Sequence, residues 1–281
     1  MKANNTLLTV LLITLLSSCS GGTNFDELVE RDGLYYPKFS DVPFTGKVTG
    51  KSQGYLKNGK EEGVWVGYHD NGQLFYEGNY KNGTNEGSWV SYHDNGQLFD
   101  DGNYKNGRRE GYWVRYHDNG QMEYKGNYNK FHNEEGLWVD YHYNGQLRSK
   151  GNYKNGRREG VWVRNRKSGN LWSEGTYKKG KKEGIWVQQW DNGQLESKGN
   201  YKNDYFDGIW VWYYENGKLW YSGNHKNGKR EGAWISYFDN GQLWRKRNYK
   251  DGKKEGAWVE YDYHGQLESK GNYKNGLKIS D

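Results

Sequence analysis

The chain has 281 residues, a formal net charge of +6, 33% hydrophobic and 17% aromatic content, and a mean hydropathy of -1.24. That composition excludes a thick apolar core, and 26 Tyr with 14 Trp exclude a disordered chain, which is poor in aromatic rings. A thin fold with high surface area, held by large amphipathic rings, is expected.

Lys2 and the apolar run Leu7 to Leu16 read as a secretory signal, since a bilayer core takes about 20 apolar residues to cross and this run is far shorter. "LSSC", ending at Cys19, resembles the bacterial lipobox, which implies cleavage before Cys19 and acylation of its thiol. Cys19 is the chain's only cysteine, so no internal disulfide can form. Two or three acyl chains give stable anchoring where one is marginal. Ser20, in place of Asp, implies outer-membrane sorting in a Gram-negative host. Removing 1–18 deletes Lys2 and no acid, which lowers the formal charge from +6 to +5. The expected divisions are a signal peptide at 1–18, a lipidated tether and N-terminal cap at 19–43, a repeat array at 44–276 and a tail at 277–281.

Trp65, Trp89, Trp113, Trp138, Trp162, Trp186, Trp210, Trp234 and Trp258 recur every 24 residues, with one step of 25. Nine repeats therefore fill 54–276, and the extra residue falls in "NKFHNEEG" at 129–136. Each repeat carries two turn signals, "DNG" and "KNG", separated by short β-rich segments without proline; Pro37 and Pro43 both precede the array. A β-hairpin per repeat follows, so the fold class is all-β: an elongated single-layer antiparallel sheet, about 85 Å long at about 4.8 Å per strand. "DNG" tolerates Ser168 and His264 at its centre but keeps Gly, which predicts a three-residue loop with Gly left-handed. His69 then pairs with Gln73, and Val64, Val66, Tyr68, Leu74 and Tyr80 share one face while Trp65 takes the other. The same loop at "KNG" sets Phe75 opposite Trp89, Phe99 opposite Trp113, Trp172 opposite Trp186, Trp220 opposite Trp234 and Trp244 opposite Trp258. At half burial, each Trp would hide about 100 Å² and contribute about 2.5 kcal/mol.

"YKNGRREGVWV" and "YHDNGQLFYEGNYKNG" resemble the bacterial variant of the MORN repeat, found in the YwqK-type toxin–antitoxin antitoxin family. The resemblance covers 44–276, counting the leading "FTGKVTG". It implies single-layer hairpin arrays with interaction roles, and its family name implies an antitoxin.

The recurring polar residues read as architecture. His69, His93, His117 and His142 lie about 9.6 Å apart, two strand spacings, with no third ligand recurring beside them, so surface histidines flanking a turn are expected and no metal. The acids before Gly, from Glu62 to Glu255, are expected to pair with nearby Lys and Arg. No nucleophile, phosphate-loop or metalloprotease pattern occurs, so no enzyme activity and no cofactor are expected. The "KNG" turns make one edge basic, through Arg108, Arg109, Arg157, Arg158, Lys181, Lys182, Lys229 and Arg230. The five Trp outside the ladder, Trp172, Trp190, Trp212, Trp220 and Trp244, form with Tyr205 and Phe206 a candidate binding patch. In the predicted register Trp212 faces Trp220, and these two serve capture whereas Trp113 holds the fold.

Together these features predict a non-catalytic, lipid-anchored repeat protein of the bacterial envelope, anchored in the outer membrane through Cys19. It would act as a binding or scaffolding surface for protein, glycan or anionic envelope ligands, without nucleic acid. An antitoxin and a surface adhesin are the alternatives.

Overall fold

The computed structural model describes residues 21–280; the predicted signal segment and Cys19 lie outside them. Twenty-three strands form one sheet, in which chain neighbours pair antiparallel. The exception is Thr23–Asn24, which runs parallel to Gly46–Thr49 at the N-terminal end. A separate hairpin, Leu28–Arg31 with Leu34–Pro37, closes that end. Leu28, Val48 and Leu56 pack there against Trp65, with Phe25, Tyr35 and Phe44 around them. At the other end, Leu277–Ser280 adds a strand beside Leu267–Lys274.

The "DNG" loops have the expected form. The His69 N–H donates to the Gln73 carbonyl at 2.8 Å and the Gly72 N–H to the His69 carbonyl at 2.9 Å, with Gly72 at φ 84. Because only the glycine is left-handed, Ser168 and His264 fit at the central position. The "KNG" turns differ from expectation. Lys81 pairs directly with Thr84, and Asn82 and Gly83 have φ 51 and 77, which is a two-residue turn with both central residues left-handed, the geometry Asn-Gly favours. In "NKFHNEEG" the added residue enlarges this turn: the Asn129 N–H donates to the Asn133 carbonyl at 2.9 Å and His132 takes φ 64.

Two bulges per repeat also change the register. Tyr68 pairs with Leu74 but Gly67 with Tyr76, which leaves Phe75 as an extra residue. On the next pair, Gly78 faces Trp89 but Tyr80 faces Asn85, so Glu86, Gly87 and Ser88 bow out against Asn79, with Gly87 at φ 80. A one-residue slip sends every side chain beyond it to the other face. Tyr80 therefore joins the Trp face, edge-on to Trp65 at 6.2 Å and to Trp89 at 5.5 Å, and does not lie with Val64 and Val66. Trp89, Trp113, Trp186 and Trp234 correspondingly face Gly78, Gly102, Gly175 and Gly223. The predicted partners Phe75, Phe99, Trp172 and Trp220 sit at the bulges. Trp244 likewise precedes Arg245, which pairs with Glu260, and so is not opposite Trp258.

Candidate functional site

Eight of the nine ladder indoles, all but Trp258, lie flat on a glycine of the preceding strand, because a side chain there would occupy the ring's place. A Cβ built at Gly54, Gly78, Gly102, Gly126, Gly151, Gly175, Gly199 or Gly223 meets indole atoms closer than 3.0 Å. Six indoles, those of Trp113, Trp138, Trp162, Trp186, Trp210 and Trp234, donate their Nε1–H to a carbonyl of that same strand, as in Trp113 to Asn103 at 3.1 Å. Tyrosines stand edge-on between successive rungs, such as Tyr153 between Trp138 and Trp162. Burial is accordingly greater than half: Trp65 and Trp162 are 1% exposed and Trp113 0%. The sheet's core is thus a row of rings on one face, while Val64, Val161, Ile185 and Ile209 remain exposed on the other.

The repeated polar residues tie each repeat to the next. Glu62, Glu86, Glu135, Glu159, Glu183, Glu231 and Glu255 each accept the N–H of the left-handed residue in the following "KNG"-type turn, Glu159 from Lys179 at 2.7 Å. The expected pairing with basic side chains occurs among these only at Glu86, which approaches Lys105 at 4.0 Å. The left-handed turn leaves that N–H unused by the ladder, and the carboxylate satisfies it. His69, His93 and His142 contact the carbonyl of the residue 23 positions on, at 2.9 to 3.0 Å. Arg166, Trp190 and Tyr214 occupy the same position and donate to the equivalent carbonyl. What recurs at six of these positions is a hydrogen-bonding function and not an imidazole, while the His117 Nε2 is buried without a partner. Among the described residues, no group of three or more His, Cys, Asp or Glu is placed to hold a metal ion.

The predicted basic edge divides in two, because successive strand residues point to opposite faces. Arg108, Arg157, Lys181 and Lys229 stay exposed at the edge. Arg109, Arg158, Lys182 and Arg230 turn over the ladder, 4.2, 4.5, 4.4 and 4.4 Å from the rings of Trp113, Trp162, Trp186 and Trp234, the first three half-buried and Arg230 still exposed. Burial, followed by the neighbouring Arg164, holds the Lys182 ammonium below the usual lysine range.

The predicted aromatic patch divides as well. Phe206 replaces the arginine as the cover of Trp210, at 4.5 Å. Trp212 stacks on Trp210 at 5.4 Å and on Tyr221 at 4.4 Å, and it pairs across the ladder with Tyr221, not with Trp220. Trp212 therefore belongs to the packed ladder. Trp220 and Trp172, each 38% exposed, stand at bulges and border clefts on the Trp face. Trp190 sits near Trp172 and Arg166. Trp244 lies against Phe238 at 5.6 Å. Tyr205, 61% exposed, stays at the turn edge, where Asp204 at φ 71 replaces the glycine and accepts the Lys182 N–H at 2.7 Å. Asp tolerates the left-handed region better than most residues.

Two clefts of the Trp face gather arginine and aromatic side chains. One, of about 560 Å³, is lined by Arg148, Arg158, Arg164, Arg166, His142 and Trp172 together with Asp140. Carboxylates compensate part of its charge: Asp140 approaches Arg148 at 3.8 Å, and Asp191 and Glu196 approach Arg166 at 2.5 and 3.9 Å. The other, of about 220 Å³, is lined by Arg230, Arg245, Arg247, Trp220, Tyr221, Trp234, Ser236 and Tyr249, with no acid in its wall. Sequence reasoning overlooked Arg245 and Arg247. The available signal was the glycine 11 or 12 residues before every ladder Trp, which becomes Arg247 before Trp258.

The MORN repeat variant model matches nine segments, 61–82, 85–106, 109–130, 134–155, 158–179, 182–203, 206–227, 230–251 and 254–275. The chain belongs to the MORN repeat variant family. No curated protein matches it. Among solved structures it is similar to a chain of the crystal structure of TcdB2-TccC3-Cdc42, at 11% identity, a TM-score of 0.19, and coverage of 90% of this chain and 16% of that chain. The chain thus spans about a sixth of that much longer chain, and the likeness carries no argument.

Against the MORN pattern, His225 stands where the other repeats hold an edge-on tyrosine. It is 7% exposed, wedged between Phe206 at 4.9 Å and Trp234 at 4.9 Å, and its buried Nδ1 has no partner. Burial first, and then the Arg230 guanidinium, holds its pKa below the ordinary histidine value. A depressed folded-state pKa favours the neutral ring, so its contribution to stability is full above pH about 6.5 and is lost as pH falls through the folded pKa. Urea unfolding of this MORN array at pH 7.5 and pH 5 is therefore expected to show a falling midpoint. His225→Tyr should reduce that fall; an equal fall in the variant would remove His225 as its source.

Proposed function

We propose that this MORN protein is a non-catalytic, lipid-anchored binding scaffold of the bacterial cell envelope, held in the outer membrane by acylated Cys19 and presenting its Trp face to a ligand. The supporting observation is the contrast between ladder and departures. Recurring Glu side chains and three of the four turn-flanking histidines are engaged with backbone groups of the next repeat, whereas non-repeating arginines and indoles gather in open clefts on one face. A long sheet in which each repeat leans on its neighbours offers extended surface without an enclosed cavity, which suits holding and arranging partners. The ligands this face suits are protein, glycan or anionic envelope polymers.

Detergent phase partitioning and crosslinking in native membranes test the reading. Wild type is expected in the detergent phase with a crosslinked envelope species, and Cys19→Ser in the aqueous phase without one. Wild type in the aqueous phase would exclude the anchor. Neutralisation of a co-encoded toxin by the Cys19→Ser form would instead establish the antitoxin alternative.

A further inference from the structure

Arg247 breaks a rule that the rest of the ladder keeps, at a visible local cost. Trp258 has no glycine on its preceding strand to lie on, and its Nε1 is buried without a partner, as is that of the terminal rung Trp65, whereas six of the rungs between them are bonded. The Asn248 carbonyl, the equivalent of the acceptor used by those six, receives the Glu255 N–H at 2.9 Å but no indole N–H. The strand corresponding to Lys229–Tyr237 is split into Lys253–Lys254 and Gly256–Tyr261. Arg247 pairs with Glu260 through Nη2, yet its own Nε is buried without a partner. A residue that removes the seat of a ladder indole and interrupts the following strand, in return for one ion pair with Glu260, marks a place where function and folding conflict.

What Arg247 adds is charge in a cleft already holding Arg230 and Arg245. Glu260, outside the cleft wall, pairs with the Arg247 guanidinium and lies across the strand pair from Arg245, and no carboxylate lines the cleft itself. Burial, and then the nearby Arg247, holds Arg245 below the ordinary arginine value, a sign of how closely the cations are gathered. The Arg230 Nη1 donates to the Tyr249 hydroxyl at 3.2 Å, which fixes its plane at the cleft wall. Three cations against one carboxylate leave about two positive charges, matching the −1.5 to −2 of a phosphomonoester, whose oxygens suit the guanidinium fork. Trp220, 38% exposed, offers a flat ring beside these cations. The about 220 Å³ is below the range of drug-sized pockets and suits a single sugar ring.

We propose that Arg230, Arg245 and Arg247 form a site for a sugar phosphomonoester, with Trp220 against the sugar ring. The site deepens the reading of the Trp face as a binding surface and rests on it. Anchoring through Cys19 is read by a separate experiment, so the two can fail independently.

Calorimetric titration of the full chain in detergent with glucose 1-phosphate, glucose and inorganic phosphate tests it. Glucose 1-phosphate is expected to bind at least about ten-fold more tightly than either fragment. Arg245→Gln and Arg247→Gly should each weaken it by about ten-fold or more. Arg247→Gly should also raise the thermal midpoint, because it restores the seat of Trp258, so its loss of binding cannot be assigned to unfolding. Trp220→Ala should weaken glucose 1-phosphate but not inorganic phosphate. Unchanged binding by Arg247→Gly, or no saturable heat with glucose 1-phosphate, would overturn the site. Equal affinity for glucose 1-phosphate and inorganic phosphate would overturn the sugar assignment.

Discussion

Trp113→Ala is expected to cost about 3–5 kcal/mol, the range for removing a fully buried aromatic side chain. Trp113 is 0% exposed. Its ring lies on Gly102, meets the edge of Tyr104 at 5.0 Å, is covered by the Arg109 guanidinium at 4.2 Å, and donates to the Asn103 carbonyl at 3.1 Å. Removal opens a gap that no second layer can fill and leaves Arg109 without its aromatic support. Because contacts run between neighbouring repeats, the loss should be local. Amide exchange should accelerate most in the hairpins around 98–128, and the urea midpoint should fall. A midpoint within error of wild type would mean that the rings only decorate the sheet.

Gly151→Val tests the same seat from the other side. A Cβ at Gly151 would lie closer than 3.0 Å to three indole atoms of Trp162, and neither the ring nor the strand beneath it has room to move without breaking pairing. Overpacking costs about 1–3 kcal/mol in ordinary cores and more where nothing relaxes, so Gly151→Ala should fall in that range and Gly151→Val above it. The expected signature is a lower urea midpoint with loss of near-ultraviolet aromatic dichroism. The chain already contains a natural version of this change at Arg247, where the following strand is split. Normal stability of Gly151→Val would refute the close-seat account of the ladder.

The repeat length, the hairpins and the "DNG" loop were legible because turn chemistry and a fixed period are local properties. In the "DNG" loop glycine keeps its place at the one left-handed position, and Ser168 and His264 reveal which position that is. The "KNG" turn and the bulges were not legible from alternation, since a bulge consumes a residue without changing the residue types around it. That omission moved Tyr80 to the wrong face and set Trp212 opposite Trp220 when its partner is Tyr221. The basic residues were found as a run, but which of Arg157 and Arg158 covers a ring depends on strand parity. The cleft of Arg230, Arg245 and Arg247 escaped because its signal was one missing glycine among nine copies, and that glycine had no visible role until the indole was seen lying on it.

The amino-acid pattern alone determined a single-layer array of nine MORN hairpins, because periodic turns and rings leave few other ways to satisfy the backbone. Only the tertiary structure decided which side chains share a face. Two bulges per repeat reset the alternation, and the indole seats, the carboxylate bonds to the next turn and the arginine cleft all follow from that reset register.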